Sequence, residues 1–257
     1  MKKLVFTLAT CCIMCACEQK TETNPFFTEF RTEYGAPDFD KIKIEHYEPA
    51  FLKGIEEQNA EIKAIVESRE TPGFENTIVA LDNSGRTLAR VKGVFYALTE
   101  ADTNDEMSAL SEKIAPVLSE HNDNIYLNQD LYKRVAAVWQ QEQEGKITLT
   151  TEQHRLLDRY YKAFIRSGAG LDAGKQNRLR EINKELSTLA ITFSNHILNE
   201  NNAYRLVIDN EAELAGLPEW VKTGAAEEAK AVGKRRQVAV YLAELKPFAA
   251  AAICRQP

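Results

Sequence analysis

The sequence predicts an all-α fold, made mainly of amphipathic helices. Across residues 47–200, large apolar side chains recur every three or four positions, which places them on one face of a helix. Polar residues that favour helix N-termini stand just before several of these segments, with Asn128 before one of them and Thr150 or Thr151 expected to cap another. Apart from a short β-prone run within 143–150, strand-like alternation is found at 204–208. The 257 residues, 44% of them hydrophobic, can bury a substantial core, and no low-complexity linker divides them, so we expect one helical unit.

The predicted elements begin with an N-terminal arm. Residues 24–43 are rich in proline, glycine and aromatic residues, which indicates an extended arm held to the body by its rings. The periodic segments then predict helices at about 47–66, 74–98, 107–118, 129–138, 151–164 and 173–200, with a weaker helix pair at 214–232. Asn76 and Thr77 are expected to cap the second helix by accepting hydrogen bonds from its first free N–H groups.

Two of these helices carry features of their own. Gly85 lies inside the second and indicates a kink or a close helix contact, because glycine there costs about 1 kcal/mol relative to alanine. The longest helix places its large apolar residues on one stripe: Leu179, Ile182, Leu186, Leu189, Phe193 and Ile197. Aromatic residues of the preceding helix, Tyr160, Tyr161 and Phe164, are expected to lie in the core and not to form a ligand platform.

The N-terminus has the pattern of an export signal. Two lysines precede a short apolar run that ends at Ala16, so residues 1–16 are predicted to be a signal peptide. Cys17 follows a small residue and precedes a polar tether at 17–23, which predicts that Cys17 is lipidated. An ordinary signal peptide cut nearby is the alternative. We therefore expect an exported lipoprotein of the periplasm or outer membrane of a Gram-negative bacterium, held to the membrane only through its lipid.

Charge and cysteine usage exclude several classes of function. The formal net charge of −6 argues against a nucleic-acid partner, which would require a basic face. The five cysteines lie at 11, 12, 15, 17 and 254, so the body has neither a disulfide framework nor a cysteine-ligated metal site. Neither a Gly-x-Ser-x-Gly motif nor a phosphate-binding loop is present.

Several short segments, in order and compatibly spaced, resemble one family. Tyr-Glu-Pro-Ala-Phe at 47–51, Phe-Glu-Asn-Thr at 74–77 and the segments at 164–171 and 193–195 resemble the thimet oligopeptidase and peptidyl-dipeptidase family of zinc metallopeptidases. The resemblance extends over about residues 24–233. It implies that 24–234 form the N-terminal helical lobe of an α-helical, two-lobed clam-shell metallopeptidase. The intact enzyme would use zinc-activated water and a glutamate base to hydrolyse oligopeptides, with release of C-terminal dipeptides favoured.

The family's chemistry is nevertheless missing from this sequence. Its zinc motif, His-Glu-x-x-His, occurs nowhere in the 257 residues, so we assign no catalytic residue and no metal ligand and expect the chain to be inactive and to bind no zinc. His154 and Asp158, four residues apart, are expected to form a solvated surface pair. His46 is expected at a helix entry, and His196, beside the apolar stripe, to be partly buried.

The final residues depart from the family pattern. Codons for residues 236–242, read one nucleotide downstream, can encode Gly-Lys-Trp-Leu-Phe-Thr-Leu, and those for 246–257 can encode Ser-Leu-Leu-Pro-Leu-Leu-Gln-Tyr-Ala-Asp-Asn-Arg. Both strings resemble what the family has there, a strand among them. We therefore expect a frameshift near residue 235 and an out-of-frame tail at 235–257. A genuine alanine-rich C-terminal helix is the alternative, which the Lys246-Pro247 pair disfavours.

A function from another class stays open. The chain can instead be a stand-alone helical lipoprotein that binds peptides or proteins without catalysis. The DNA that follows the gene distinguishes the two, because only a peptidase gene would continue to the zinc motif in the shifted frame.

Overall fold

The computed structural model describes residues 24–204, 206–208, 210–231 and 238–240, and it confirms a mainly α fold. The predicted signal peptide, Cys17 with its tether, and residues 241–257 of the predicted tail lie outside the described residues. The chain packs as two compact units where one was expected: among the described residues, 24–70 and 79–102 form the first unit, and 71–78 with the residues from 103 onward form the second. No helix of the described residues is both long enough and apolar enough to cross a membrane.

The first unit consists of the N-terminal arm, two long helices and one short helix. Its elements are 3₁₀ turns at Pro25–Phe27, Glu33–Gly35 and Phe39–Lys41, then α1 (Ile44–Glu67), α2 (Ala80–Asp82) and α3 (Arg86–Ala101). Phe26 of the arm is fully buried, with its ring 5.2 Å from that of Tyr47, and Arg90 donates to the Phe26 carbonyl oxygen at 2.8 Å. The ring of Phe26 therefore pins the arm as predicted, whereas Tyr34, 96% exposed, and Phe39, 53% exposed, do not.

Helices α1 and α3 touch at their backbones. A Cβ atom added to Gly54 of α1 would lie 2.8 Å from both the Cα and the N of Leu88 in α3. Around this contact Phe51 and Phe95 are fully buried and meet edge to face, with centroids 5.3 Å apart. Glycine at 54 is what lets the two helices approach this closely.

The helix predicted at 74–98 is broken in two. A π-helix at Phe74–Val79 leads into α2, and Gly85 then adopts a φ of +73°, which ends one helix and starts α3. The N–H of Gly85 donates to Oε2 of Glu61 at 2.7 Å, which fixes this kink to α1. Asn76 lies inside this π-helix and not before it: its Oδ1 accepts from the N–H of Gly73 at 2.8 Å and its Nδ2 donates to the Thr71 carbonyl at 3.0 Å. Asn76 thus closes the turn that precedes the helix.

The second unit contains the remaining helices. These are α4 (Asp105–Tyr126), α5 (Gln129–Gln143), α6 (Thr151–Arg166), α7 (Ala173–Ala203) and α8 (Glu219–Ala231), with a 3₁₀ turn at Glu211–Leu214. Asn128 caps α5, and of the two candidate threonines Thr150 caps α6, where it forms a reciprocal capping box with Gln153. Within this unit α5 packs on α6 and α4 packs on α7.

A short antiparallel pair completes the second unit. The strand predicted at 204–208 is present as β1 (Leu206–Ile208), which pairs with β2 (Val238–Val240) so that Leu206 lies opposite Val240. Strand β2 falls within the segment predicted to be out of frame, at the place where the family resemblance implies a strand.

Candidate functional site

Two of the histidines, His46 and His154, make hydrogen bonds to residues outside their own positions in the helix pattern. His46 accepts from the backbone N–H of Lys43 at 3.0 Å at the start of α1, which confirms its predicted position at a helix entry. His154 does not pair with Asp158, which instead binds Lys162 at 2.7 Å. The Nδ1 atom of His154 lies 2.8 Å from Oε1 of Glu142 on α5. The i, i+4 pattern within α6 could not predict this partner, because Glu142 belongs to another helix.

The other two histidines lie in α4 and α7. His121 is buried in α4. His196 is exposed, where partial burial was expected, because the stripe beside it is not covered. Among the described residues no group of three or more His, Cys, Asp or Glu side chains is placed to hold a metal ion, so these residues do not fit a zinc centre.

The most unusual surface of the second unit is the outer face of α7. The predicted stripe is present on the helix, but most of it is exposed. We call the following five residues, which are 36–66% exposed, the α7 stripe: Ile182, Leu186, Leu189, Phe193 and Ile197. From Ile182 to Ile197 it extends about 22 Å along the helix at 1.5 Å per residue. Isolated exposed apolar residues are ordinary on protein surfaces, but a row of this length is more than a set of isolated residues.

The face of α7 that meets α4 is polar instead. Arg180 donates to Oδ1 of Asn124 at 2.9 Å. Asn183 donates to Oδ1 of Asp123 at 2.7 Å. Further along, Asn195 donates to Oε1 of Glu112 at 2.9 Å. Helix α7 therefore makes these hydrogen bonds to α4, while most of its large apolar side chains stay exposed.

Asp123 lies in this inward contact. Only 5% of the residue is exposed, and desolvation raises the pKa of its carboxyl group above the ordinary value. The hydrogen bond from Asn183 and the positive charge of Arg180 act against that shift without cancelling it. The α4–α7 contact is thus held in part by a carboxylate that is costly to bury ionised.

A column of aromatic rings joins α5 and α6. Trp139 stacks on Tyr161 with centroids 4.4 Å apart and planes 9° apart, and Tyr132 stacks between Tyr161 and Phe164. Phe164 is fully buried, which confirms its predicted core position. Tyr160 and Tyr161 are half-buried, so the column packs the two helices together along its length.

Comparison with known proteins gives a consistent set of relatives. No family model matches the chain. The chain is 40% identical to a dipeptidyl carboxypeptidase of Escherichia coli (strain K12) over 213 residues, which are 83% of this chain and 31% of that protein. It is 41% identical over 211 residues to the dipeptidyl carboxypeptidase of Salmonella typhimurium. It is 30% identical over 209 residues to oligopeptidase A of the same bacterium, 81% of this chain and 30% of that protein.

The similarity covers most of this chain but less than a third of the length of each relative. About four fifths of this chain align with peptidases of two names, dipeptidyl carboxypeptidase and oligopeptidase A. The chain spans about 31% of the length of these curated relatives. The helical architecture agrees with the helical lobe of such a peptidase. The chain therefore belongs to the thimet oligopeptidase family of peptidases, as a partial representative of a longer family sequence.

Proposed function

We propose that this chain is the N-terminal, non-catalytic helical part of an exported zinc-dependent oligopeptidase, whose intact form releases dipeptides from the C-termini of short peptides. The observation that carries the proposal is the 40% identity to a dipeptidyl carboxypeptidase over 83% of the chain. Identity to oligopeptidase A is lower, at 30%, which supports dipeptide release over internal cleavage.

In this proposal the chain supplies structural helices and the N-terminal arm of the peptidase. The sequence has no His-Glu-x-x-His motif, and the described residues bring no set of metal ligands together. The zinc ion and its chemistry therefore belong to the part of the family sequence that this chain does not span. Residues 1–16 and Cys17 supply export and a lipid anchor.

The tail is explained by a frameshift near residue 235. The shifted frame restores family-like sequence on both sides of Glu244, whereas the printed frame gives an alanine run and the isolated Cys254. Sequencing the DNA that follows the gene tests this directly. We expect a continuation in the shifted frame that encodes His-Glu-x-x-His, and an unrelated sequence in that frame would contradict a peptidase gene.

The biochemical test uses the purified chain and, as a positive control, the dipeptidyl carboxypeptidase of E. coli. Both are analysed for bound zinc by elemental analysis and for release of dipeptides from a short peptide, with and without a chelator. We expect stoichiometric zinc and chelator-sensitive release from the control alone. Zinc bound to this chain, or chelator-sensitive cleavage by it, would show that the chain is catalytic.

The exposed α7 stripe supports a second candidate, a lipoprotein that binds a peptide or protein partner without belonging to a working peptidase. An intact downstream gene with no zinc motif in either frame would favour this candidate. It predicts a stable complex between the 257-residue chain and an unrelated partner.

A further inference from the structure

A polar cleft opens in the second unit where α4, the C-terminal end of α6 and α7 meet. Its volume is about 540 Å³, within the range of about 300–1,000 Å³ that is usual for sites of small ligands. Its walls carry charged, amide and hydroxyl groups beside two leucines. We propose that this cleft binds a short peptide with both termini free, a zwitterion with an ammonium group at one end and a carboxylate at the other.

Asp123 supplies the negative group of the cleft. Only 5% of the residue is exposed, and its Oδ1 accepts from Asn183 at 2.7 Å. No other side chain of the described residues donates to this carboxyl group, and the nearby Arg180 donates to Asn124 instead. Desolvation raises the pKa of Asp123, because these neighbours compensate the burial of its charge only in part. An ammonium group in the cleft supplies the missing positive partner.

Arg166 supplies the positive group of the cleft. It is the last residue of α6, and its side chain is exposed. Within the part of the chain that the structure describes, its guanidinium forms no ion pair and no hydrogen bond, whereas Lys162, one turn earlier, binds Asp158 at 2.7 Å. A guanidinium can hold a carboxylate through two parallel hydrogen bonds, so Arg166 is suited to the C-terminal carboxylate of a peptide.

The other groups that line the cleft match the rest of a short peptide. Asn122 and Asn183 carry amide side chains, which both donate and accept hydrogen bonds, as a peptide group requires. Leu179 and Leu186 add an apolar surface for a side chain of the ligand. A ligand that is only anionic, such as inorganic phosphate, would meet the carboxylate of Asp123 unfavourably.

The inference goes beyond the proposed function. It concerns side chains of this chain alone, requires no zinc and assigns no cleavage to the cleft. Short peptides with free termini are also what the proposed enzyme would release. Binding to the cleft is measured without any peptidase activity, however, so either proposal can fail while the other stands.

Isothermal titration calorimetry of the 257-residue chain at neutral pH tests the class of ligand. The probes are the dipeptide leucyl-leucine, its N-acetylated form, which lacks the ammonium group, and its C-terminal amide, which lacks the carboxylate. We expect the free dipeptide to bind and each modified form to bind about tenfold more weakly or worse, since each loses a hydrogen-bonded charge. No binding of the free dipeptide at millimolar concentration, or equal affinity for all the probes, would overturn the proposal.

Two substitutions test whether the dipeptide occupies the cleft. Asp123→Asn keeps the shape of the side chain and an acceptor for Asn183, and Arg166→Gln removes an exposed charge, so both variants should fold. Each should weaken binding of leucyl-leucine by about tenfold or more. Arg155→Gln is the matched control and should leave the affinity unchanged, because Arg155 is also an exposed arginine of α6 but does not line the cleft.

The combination of probes and variants identifies which end of the dipeptide each residue binds. After Asp123→Asn, acetylation of the dipeptide should make little further difference, and after Arg166→Gln the same should hold for amidation. If Arg155→Gln weakens binding as much as Arg166→Gln, the dipeptide binds along the surface of α6 and the cleft is not its site. If only Arg166→Gln weakens binding and the N-acetylated form binds as well as the free dipeptide, the cleft is an anion site and the proposal is wrong.

Discussion

Replacing Gly54 with alanine probes the contact on which the first unit is built. The new methyl group would lie 2.8 Å from the Cα and the N of Leu88, and these are backbone atoms of α3 that cannot move aside as a flexible side chain would. Inserting a methyl group into such a contact costs about 1–3 kcal/mol. Alanine also favours a helix over glycine by up to about 1 kcal/mol. The net destabilisation by Gly54→Ala should therefore be about 0–3 kcal/mol.

Gly93→Ala supplies a matched control for this prediction. Gly93 lies in α3, in the same unit and also inside a helix, but a Cβ atom there meets nothing within 4 Å. The helix-propensity gain is common to both variants, so the difference in their unfolding free energies isolates the steric cost at Gly54, about 1–3 kcal/mol. Urea unfolding followed by far-UV circular dichroism measures both. If Gly54→Ala is as stable as Gly93→Ala, the close packing of α1 on α3 is wrong.

Three further predictions concern other parts of the chain. Burial raises the pKa of Asp123 in the folded protein. The protonated carboxyl group therefore contributes fully to folding stability below the pKa of the unfolded state, and this contribution is lost as the pH rises through the pKa of the folded state. Asp123→Asn should accordingly stabilise the protein at about pH 7 and change its stability little at about pH 3, as measured by denaturant midpoints. Asn128 accepts from the backbone N–H groups of Asp130 and Leu131, so Asn128→Ala should cost about 1 kcal/mol in urea unfolding, whereas Asn128→Asp should retain most of the cap. Cys17→Ala should leave the precursor unprocessed and absent from the lipid-labelled membrane fraction, and unchanged labelling would exclude Cys17 as the lipidation site.

Local features of the fold were accessible from the sequence because they depend on neighbours along the chain. The caps at Asn128 and Thr150 satisfy N–H groups two or three residues away, and the predicted helix that follows each of them is present. Gly85 was recognised as a kink or a close contact, and it proves to be both, because its positive φ and the nearby side chain of Gln58 act together.

Features that depend on partners distant in sequence were missed or left open. The i, i+4 rule paired His154 with Asp158, but Glu142 from α5 is the partner that the structure brings to it. The same 3.6-residue periodicity describes a buried row and an exposed one, so the pattern at 173–200 could not show that α7 leaves its row uncovered.

The sequence by itself determined the helical class, most helix positions and the family, because periodicity, capping and short motifs depend on residues that are close together in the chain. Only the tertiary structure decided that the chain packs as two units, that Gly54 sits against the backbone of α3, and that α7 turns its polar side toward α4. These outcomes follow from contacts between segments far apart in the chain, and their free energies depend on which surfaces meet. The pattern of a single helix fixes which residues share a face, but the rest of the fold fixes whether that face is buried.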